Sequence, residues 1–191
     1  MELFTLHSER LTLRPLRFRD KKKWLDVRAE NREWLSPWEA TFPVIPEDSP
    51  AAESIKGRPS FYEMVRTSNH EARAGRSYSF AIWHGANLVG QITLGGVIYG
   101  ALRGAHIGYW VDRNYANRGF ITEAVGLVTD FGFSELGIHR IEINVRPENA
   151  ASCRVAEKAG YHFEGDRREF LHIDGAWRDH RTYVRVNRAI S

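Results

Sequence analysis

The sequence has a single cysteine, Cys153, among its 191 residues, which excludes an internal disulfide. It has no Cys-x-x-Cys pair and no spacing of His, Cys or carboxylate residues typical of a metal site, so we expect no metal. No apolar run approaches the ~18 residues that cross a membrane, and the first residues lack the apolar segment of a signal peptide. These absences predict a cytoplasmic protein that does not bind membranes.

A large charge of either sign is also lacking, since 27 Lys and Arg against 24 Asp and Glu give a net charge of +3. Such a chain fits a polyanionic ligand, but this charge alone does not indicate nucleic acid binding. A solvated helix face is enough to explain the one lysine run, at 21–23. With 42% hydrophobic and 12% aromatic residues, the chain can form a core, and its length suits one domain over 1–191.

Hydrophobic periodicity predicts a mixed α/β fold in the order strand, helices, three antiparallel strands, helix, strand, helix, two strands. The seven strands are predicted at 10–16, 78–84, 88–98, 103–111, 139–146, 161–173 and 177–187. The helices are predicted at 18–32, 61–74, 119–136 and 150–159, and the proline-containing segment 42–60 is predicted to be a surface loop with at most one short helix. A helical crossover makes the fourth and fifth strands parallel neighbours.

The stretch 107–125 combines an apolar strand, a polar turn with Arg118 and Gly119, and an amphipathic helix. A helix start leaves backbone N–H groups unpaired at the positive end of the helix dipole, and Gly119 allows close approach of a ligand. Taken alone, Arg118 and Gly119 fit a plain turn better, since the P-loop and G-x-G-x-x-G spacings are absent. Together with the rest of the C-terminal half, they predict a pyrophosphate site.

The window 116–121, ANRGFI, is similar to the signature Q/R-x-x-G-x-G/A that follows a strand in the GNAT superfamily of acyl-CoA-dependent N-acetyltransferases. Gly119 is the central glycine, whereas Ala116 and Ile121 depart from the pattern. Backbone amides do most of the phosphate binding in that family, so the departures leave its mechanism intact.

A second block covers 141–165 and reads IEINVRPENAASCRVAEKAGYHFEG. With FLHIDGAWRDH at 170–180 and PWE at 37–39, it resembles the RimJ/RimL-like branch, which acetylates N-terminal alanines of ribosomal proteins. The resemblance covers nearly the whole chain and is least specific over 41–77.

The resemblance implies the GNAT fold, a mixed and mostly antiparallel seven-stranded sheet flanked by helices, with strands four and five splayed. Acetyl-CoA would insert in the gap and pair like an extra strand, and a backbone N–H around Tyr109 to Val111 would hold the oxyanion. The implied cofactor residues are Tyr109, Trp110, Val111, Asn117, Arg118, Gly119, Phe120, Ile121, Thr122, Asn149 and Ser152.

The resemblance also implies catalytic roles in a direct attack without a covalent enzyme intermediate. Ser152 would be the general acid for the leaving thiolate, and Glu169 a base acting through water. Glu142 is the alternate base, on the same side of its strand as Asn144. Asn144 lies where another branch carries its glutamate base. Tyr109 and Tyr161 are the alternative candidates for the general acid.

Structural explanations compete with several of these roles. Asn149 and Ser152 would also form an ordinary helix N-cap. A lone glutamate on a strand, such as Glu142 or Glu169, is more often solvent-facing or paired with a basic residue. Cys153 is better explained as a small buried residue than as a nucleophile, since no activating His or Asp is near it in sequence.

The leading interpretation is transfer of acetyl to the N-terminal α-amine of a protein, with alanine of a ribosomal protein as the expected acceptor. An α-amine has a pKa of about 7.7–8.0, so its deprotonation needs only modest help. Trp34 and Trp38 beside a proline break could wall the substrate cleft, with Asn144 as a further substrate contact.

Two other interpretations remain open. An acidic cleft around Glu33, Glu39 and Glu142 would instead favour a polyamine, an aminoglycoside or another small amine. A non-catalytic ribosome- or RNA-associated module is the third option, although intact Asn149 and Ser152 argue against it. The expected partner is a ribosomal protein N-terminus, with nucleic acid contacted only indirectly if at all, and the protein is expected to be a monomer or homodimer.

Overall fold

The computed structural model describes residues 3–45 and 59–190, which contain one sheet of eight strands. In chain order the strands are β1 Leu6–His7, β2 Thr12–Arg14, β3 Tyr78–His84, β4 Asn87–Ile98, β5 Gly104–Val111, β6 Arg140–Val145, β7 His162–Ile173 and β8 Ala176–Val186. The α-helices are α1 Lys21–Glu30, α2 Arg32–Leu35, α3 Phe61–Arg73, α4 Phe120–Ser134 and α5 Ala150–Lys158. This matches the predicted mixed α/β architecture and element order.

The sheet order is β1-β2-β3-β4-β5-β6-β8-β7, and every neighbouring pair is antiparallel except β5 with β6. Those two parallel strands pair only where Gly104–His106 faces Arg140–Glu142. Beyond these residues they diverge, which confirms the predicted splay. The sheet has eight strands rather than the predicted seven, because Leu6–His7 adds a two-residue edge strand too short for periodicity to reveal.

Local chemistry sets the helix boundaries. Ser60 and Glu63 form a reciprocal capping box at the start of α3, with N···O distances of 3.3 and 2.8 Å. α2 ends at Leu35 and is followed by the 3-10 turn Ser36–Trp38, in which Ser36 keeps helical backbone angles of φ −53° and ψ −38°. The expected break at Pro37 is therefore a change of helix type, and the residue before the proline is not extended. Of the predicted loop, residues 42–45 have neither helix nor strand, and 46–58 lie outside the described residues.

The main core lies between the sheet and the face covered by α4 and α5, where Val125, Val128 and Ile141 are fully buried. On the opposite face, α1 and α3 cover β3 and β4 around a smaller cluster that includes Phe61 and Trp83. The core-facing residues of β6 alternate with polar ones, so the polar side chains of β6 lie on the second face. No helix within the described ranges is both long and apolar enough to cross a membrane.

Candidate functional site

A cavity of about 950 Å³ opens where β5 and β6 diverge, and residues from both faces of the sheet line it. The structure brings together ten of the eleven predicted cofactor residues in its lining: Tyr109, Trp110, Val111, Asn117, Gly119, Phe120, Ile121, Thr122, Asn149 and Ser152. Trp34 and Trp38, predicted to wall a cleft, line it too. The Arg118 side chain is not in the lining, and its guanidinium lies 5.1 Å from the ring of Tyr115 at the cavity wall.

The start of α4 presents free backbone donors to this cavity. Gly119 is the N-cap residue with φ +78°, a left-handed conformation that glycine adopts without strain, and no side chain caps the helix. The first backbone N–H groups of a helix have no partner within it, so 120–122 offer donors at the positive end of the dipole. Such a helix start, at this corner of the cavity, can bind an anion such as a diphosphate.

Two contacts that the sequence analysis missed hold this corner in place. Arg10 pairs with Glu123 in the first turn of α4 and donates to the carbonyl of Arg118 at 3.3 Å. Buried Asn31 donates to Asp112 Oδ1 at 3.0 Å, which anchors the loop before α4 to the end of α1. Both contacts join segments 81 or more residues apart, so no local pattern signals them.

The outer part of β5 has a free backbone edge. Asp112 N–H donates to the carbonyl of Val89 at 2.9 Å, and hydrogen-bonding direction alternates along an antiparallel pair. The N–H groups of Tyr109 and Val111 therefore point away from β4 into the gap, whereas that of Trp110 points toward β4. The backbone donors that face the gap are thus those of Tyr109 and Val111.

The start of α5 lies across the gap from β5. Asn149 Oδ1 accepts a hydrogen bond of 3.1 Å from Ser152 N–H, so the structural role predicted for Asn149 as an N-cap is present. Tyr109 Oη donates to the carbonyl of Ser152 at 3.3 Å, and burial raises the pKa of the Tyr109 hydroxyl far above its usual value. Ser152 thus sits in the lining beside a hydroxyl that stays protonated.

The other acid substitute and the cysteine are elsewhere. Tyr161 Oη lies 2.6 Å from Thr129 Oγ1 inside the core, where burial also raises the pKa of Tyr161. Tyr161 and Cys153 are both outside the cavity lining. Cys153 is buried with 5% of its surface exposed, as the structural explanation predicted.

Both predicted bases lie outside the cavity lining. Glu142 accepts hydrogen bonds from Arg140 at 3.0 Å and from Arg167 at 2.8 Å, so its carboxylate is paired with two guanidinium groups. Glu169 is exposed in a bulge of β7 with φ +46°. Strand spacing gave the side of Glu142 correctly but could not show the arginines around it. The base roles of both glutamates stay predictions that the cavity geometry does not support.

Asn144 is also outside the lining, with its Oδ1 accepting from Thr182 Oγ1 at 2.8 Å. The suggested acidic cleft does not form in the described part of the chain. Of its three glutamates, only Glu39 lines the cavity, and Arg28 pairs with it there.

Several lining residues were missed by the sequence analysis. Arg154 and Lys158 lie one turn apart on α5, which places two cations on one helix face. The second sheet face adds Gln91, Thr93 and His106. The helical spacing of the two cations was a usable signal, whereas the strand residues follow no motif.

The known proteins that this chain resembles are all acetyltransferases in the comparisons that follow. Residues 10–162 match the family model described as acetyltransferase (GNAT) domain. The probable N-acetyltransferase YjcK of Bacillus subtilis is 35% identical over 184 residues, 95% of this chain and 97% of that protein. The [ribosomal protein uS5]-alanine N-acetyltransferase of Escherichia coli is 27% identical over 178 residues, 92% of this chain and 87% of that protein. The structure of Mycobacterium smegmatis RimJ in complex with CoA-disulfide is 34% identical with a TM-score of 0.85, covering 98% of this chain and 89% of that one.

Proposed function

The chain belongs to the acetyltransferase (GNAT) family and is an acetyl-CoA-dependent N-acetyltransferase of the RimJ-like type, and from this we propose that its acceptor is the N-terminal α-amine of a protein. The proposed acceptor residue is alanine, in a ribosomal protein. Similarity to the uS5-alanine N-acetyltransferase over 92% of this chain supports this acceptor. We also propose that 1–191 form one N-acetyltransferase domain.

The cavity fits acetyl-CoA, which supplies an activated acetyl thioester when bound. In this proposal the backbone donors of 117–122 hold the diphosphate, and Arg154 and Lys158 add positive charge beside it. The Arg118 side chain, predicted to help, lies against Tyr115 and outside the lining. One of the two free β5 donors, the N–H of Tyr109 or that of Val111, stabilises the carbonyl oxygen, since residues two apart on a strand lie about 6.7 Å from each other. Ser152 protonates the leaving sulfur.

The structural observation that favours a peptide acceptor is the composition of the aromatic side of the cavity. Trp34, Trp38 and Trp110 line the cavity there, and the carboxylate of Glu39 is neutralised by Arg28. A polyamine would need several uncompensated carboxylates, whereas an aromatic wall suits the backbone and apolar side chains of a peptide. The wall therefore supports a peptide over a polycation.

The RNA-associated alternative has less support. Each lysine of the run has its own contact: Lys21 lies 4.5 Å from the ring of Tyr62, Lys22 pairs with Asp26 at 2.7 Å, and Lys23 donates to a backbone carbonyl at 2.9 Å. They do not form a free cationic patch of the kind that tracks a phosphate backbone.

Mass spectrometry of the products tests the proposal. The protein is incubated with acetyl-CoA and three acceptors: a peptide with free N-terminal alanine and an internal lysine, the same peptide with its N-terminus blocked, and spermidine. We expect one acetyl group on the α-nitrogen of the first peptide and none on the other two acceptors. Acetylation of lysine or spermidine alone would contradict the proposed acceptor and favour the small-amine alternative.

A further inference from the structure

His106 occupies the vertex of the gap between β5 and β6. It is the last β5 residue paired with β6, opposite Glu142, and its side chain lines the cavity. The anion-binding start of α4 follows the far end of β5, so an extended ligand held there and running back along the free β5 edge reaches toward His106. An acetyl group at the end of such a ligand would lie near this imidazole.

The neighbouring strand is shaped around this ring. A Cβ added at Gly96 would lie 2.8 Å from both Nδ1 and Cε1 of His106, and one added at Gly95 would lie 3.2 Å from Nε2. Gly96 also has φ +58°, at an irregularity in the pairing of β4 with β5. The two glycines leave space that the imidazole fills, so the ring packs against the backbone of β4 at the edge of the cavity.

The surroundings of the ring favour its neutral form, although the residue is exposed where it faces the cavity. Partial loss of hydration lowers the pKa of His106, and this outweighs the opposite effect of Glu142 across the strand pair. Arg140 and Arg167 already hold the Glu142 carboxylate. The charged pair on the other cavity wall, Arg28 with Glu39, is internally compensated. The ring nitrogens make no hydrogen bond to any residue of the described ranges, which leaves them available to a ligand.

We propose that His106 is the catalytic base that takes the proton from the attacking amine, directly or through one water. The inference deepens the proposed function at the same site, but it depends on amine acetylation there and not on which amine is used. Among the carboxylates of the cavity, Glu39 is paired with Arg28, and Glu148 is 63% exposed beside Arg146. His106 is the uncompensated proton acceptor in this lining.

The protons balance in this scheme. The acceptor ammonium gives one proton to the imidazole and becomes a neutral amine. Its nitrogen forms the C–N bond with the acetyl carbonyl carbon, and the C–S bond breaks with its electron pair leaving on sulfur. The nitrogen loses a second proton and the sulfur gains one, through Ser152, to give the thiol. His106 returns its proton to solvent, so each turnover releases one proton.

Chemical rescue separates this role from a structural one. His106→Ala is expected to lower kcat about 10²- to 10³-fold, as for loss of a general base, while calorimetry shows unchanged CoA affinity. Added imidazole should fill the vacated space and restore a large part of the turnover. The control is His162→Ala, on an exposed residue of β7, which should change neither kcat nor the response to imidazole. Unchanged kcat in His106→Ala, or a loss that imidazole does not relieve, would overturn the proposal.

An NMR titration provides a test that needs no acceptor. In the CoA-bound protein, the His106 ring is expected to titrate below its ordinary pKa of 6.5. Titration above that value would mean a protonated ring paired with Glu142, which cannot accept a proton. If the alanine peptide is not acetylated but spermidine is, the acceptor proposal fails, and His106 is then assayed on spermidine.

Discussion

The indole Nε1 of Trp34 donates a hydrogen bond of 3.1 Å to the backbone carbonyl of Val111, at the free edge of β5. The carbonyl and the N–H of Val111 both point into the gap, because the N–H and C=O of one residue lie on the same edge of an antiparallel strand. Trp34 therefore occupies one acceptor of this edge and leaves the N–H groups of Tyr109 and Val111 as its donors. The same bond fixes the helical segment that carries the aromatic wall.

Trp34→Phe is expected to raise the KM for the alanine peptide about 3- to 10-fold with a smaller effect on kcat. The ring still packs against the wall, but one hydrogen bond is lost, and such bonds contribute about 0.5–1.5 kcal/mol. Steady-state kinetics at saturating acetyl-CoA measures this. Trp177→Phe is the control, since Trp177 is 53% exposed on β8 and outside the cavity. An equal change in both variants would contradict a specific role for Trp34.

Gly119→Glu is expected to lower CoA affinity at least about ten-fold. The new carboxylate repels phosphates at the start of α4, and φ +78° is strained for any residue with a Cβ. Isothermal titration with CoA measures the change.

Gly160→Glu is the matched control for this substitution. Gly160 has φ +79° and open space around it, so the same strain and the same charge are placed at the far end of α5. It should retain CoA affinity. Equal loss of affinity in the two variants would show that strain, and not the anion corner, accounts for the effect.

The elements that the sequence predicted well are those with strong local periodicity. The alternation of β6, with Ile141 and Ile143 buried and Glu142 between them, is visible in six residues. The amphipathic pattern of α4 is equally local. The break expected at Pro37 is only a change from α-helix to 3-10 helix at Ser36. β1 escaped prediction because two residues carry no period, and its existence depends on pairing with β2.

The candidate site was predictable where one segment supplies several of its parts. The window 116–122 and the cap at Asn149 are each local, and the structure places Asn149 and every residue of that window except Arg118 in the cavity lining. His106 could not be predicted, because the glycines that make room for its ring belong to another strand. The pairing of Glu142 with arginines could not be predicted either, because Arg167 comes from a different strand, β7.

Ser152→Ala is expected to lower kcat about 100-fold while CoA affinity stays near normal. The cap at α5 is retained, because Asn149 accepts from the backbone N–H of Ser152 and not from its hydroxyl. The loss should therefore appear in turnover and not in thermal stability. Ser134→Ala is the control, because Ser134 is the last residue of α4 and lies at the end of that helix away from the cavity. Unchanged kcat would remove Ser152 from the acid role.

Asn149→Asp separates capping from cofactor binding. A carboxylate still accepts from Ser152 N–H and is favoured at a helix start, so Tm should stay the same or rise slightly. The affinity for CoA should fall, since the amide donor is lost and a negative charge faces the cofactor. Calorimetry with CoA and a thermal melt of the free protein measure the two effects. A lower Tm with unchanged affinity would assign Asn149 to capping alone.

Asp20→Asn is expected to destabilise the fold at neutral pH by about 3 kcal/mol or more, because it leaves the Arg14 guanidinium buried without its partner. Asp20 is 5% exposed and accepts from Arg14 at 2.7 and 3.0 Å and from Arg17 N–H at 2.8 Å. Burial alone would raise the pKa of Asp20, but these hydrogen bonds outweigh it and hold that pKa below its usual value.

A carboxyl whose pKa is lower in the folded state stabilises the fold above its unfolded pKa, about 3.9, and this contribution is lost as the pH falls through the folded pKa. Urea unfolding of the native protein should therefore show that the free energy of unfolding falls below about pH 4. In Asp20→Asn this acid-induced decrease should be smaller. Asp26→Asn, which changes an exposed side chain of α1, should show the same acid-induced decrease as the native protein. If the native protein and Asp20→Asn lose equal stability between pH 7 and pH 3, the buried pair with Arg14 does not control the acid stability of this fold.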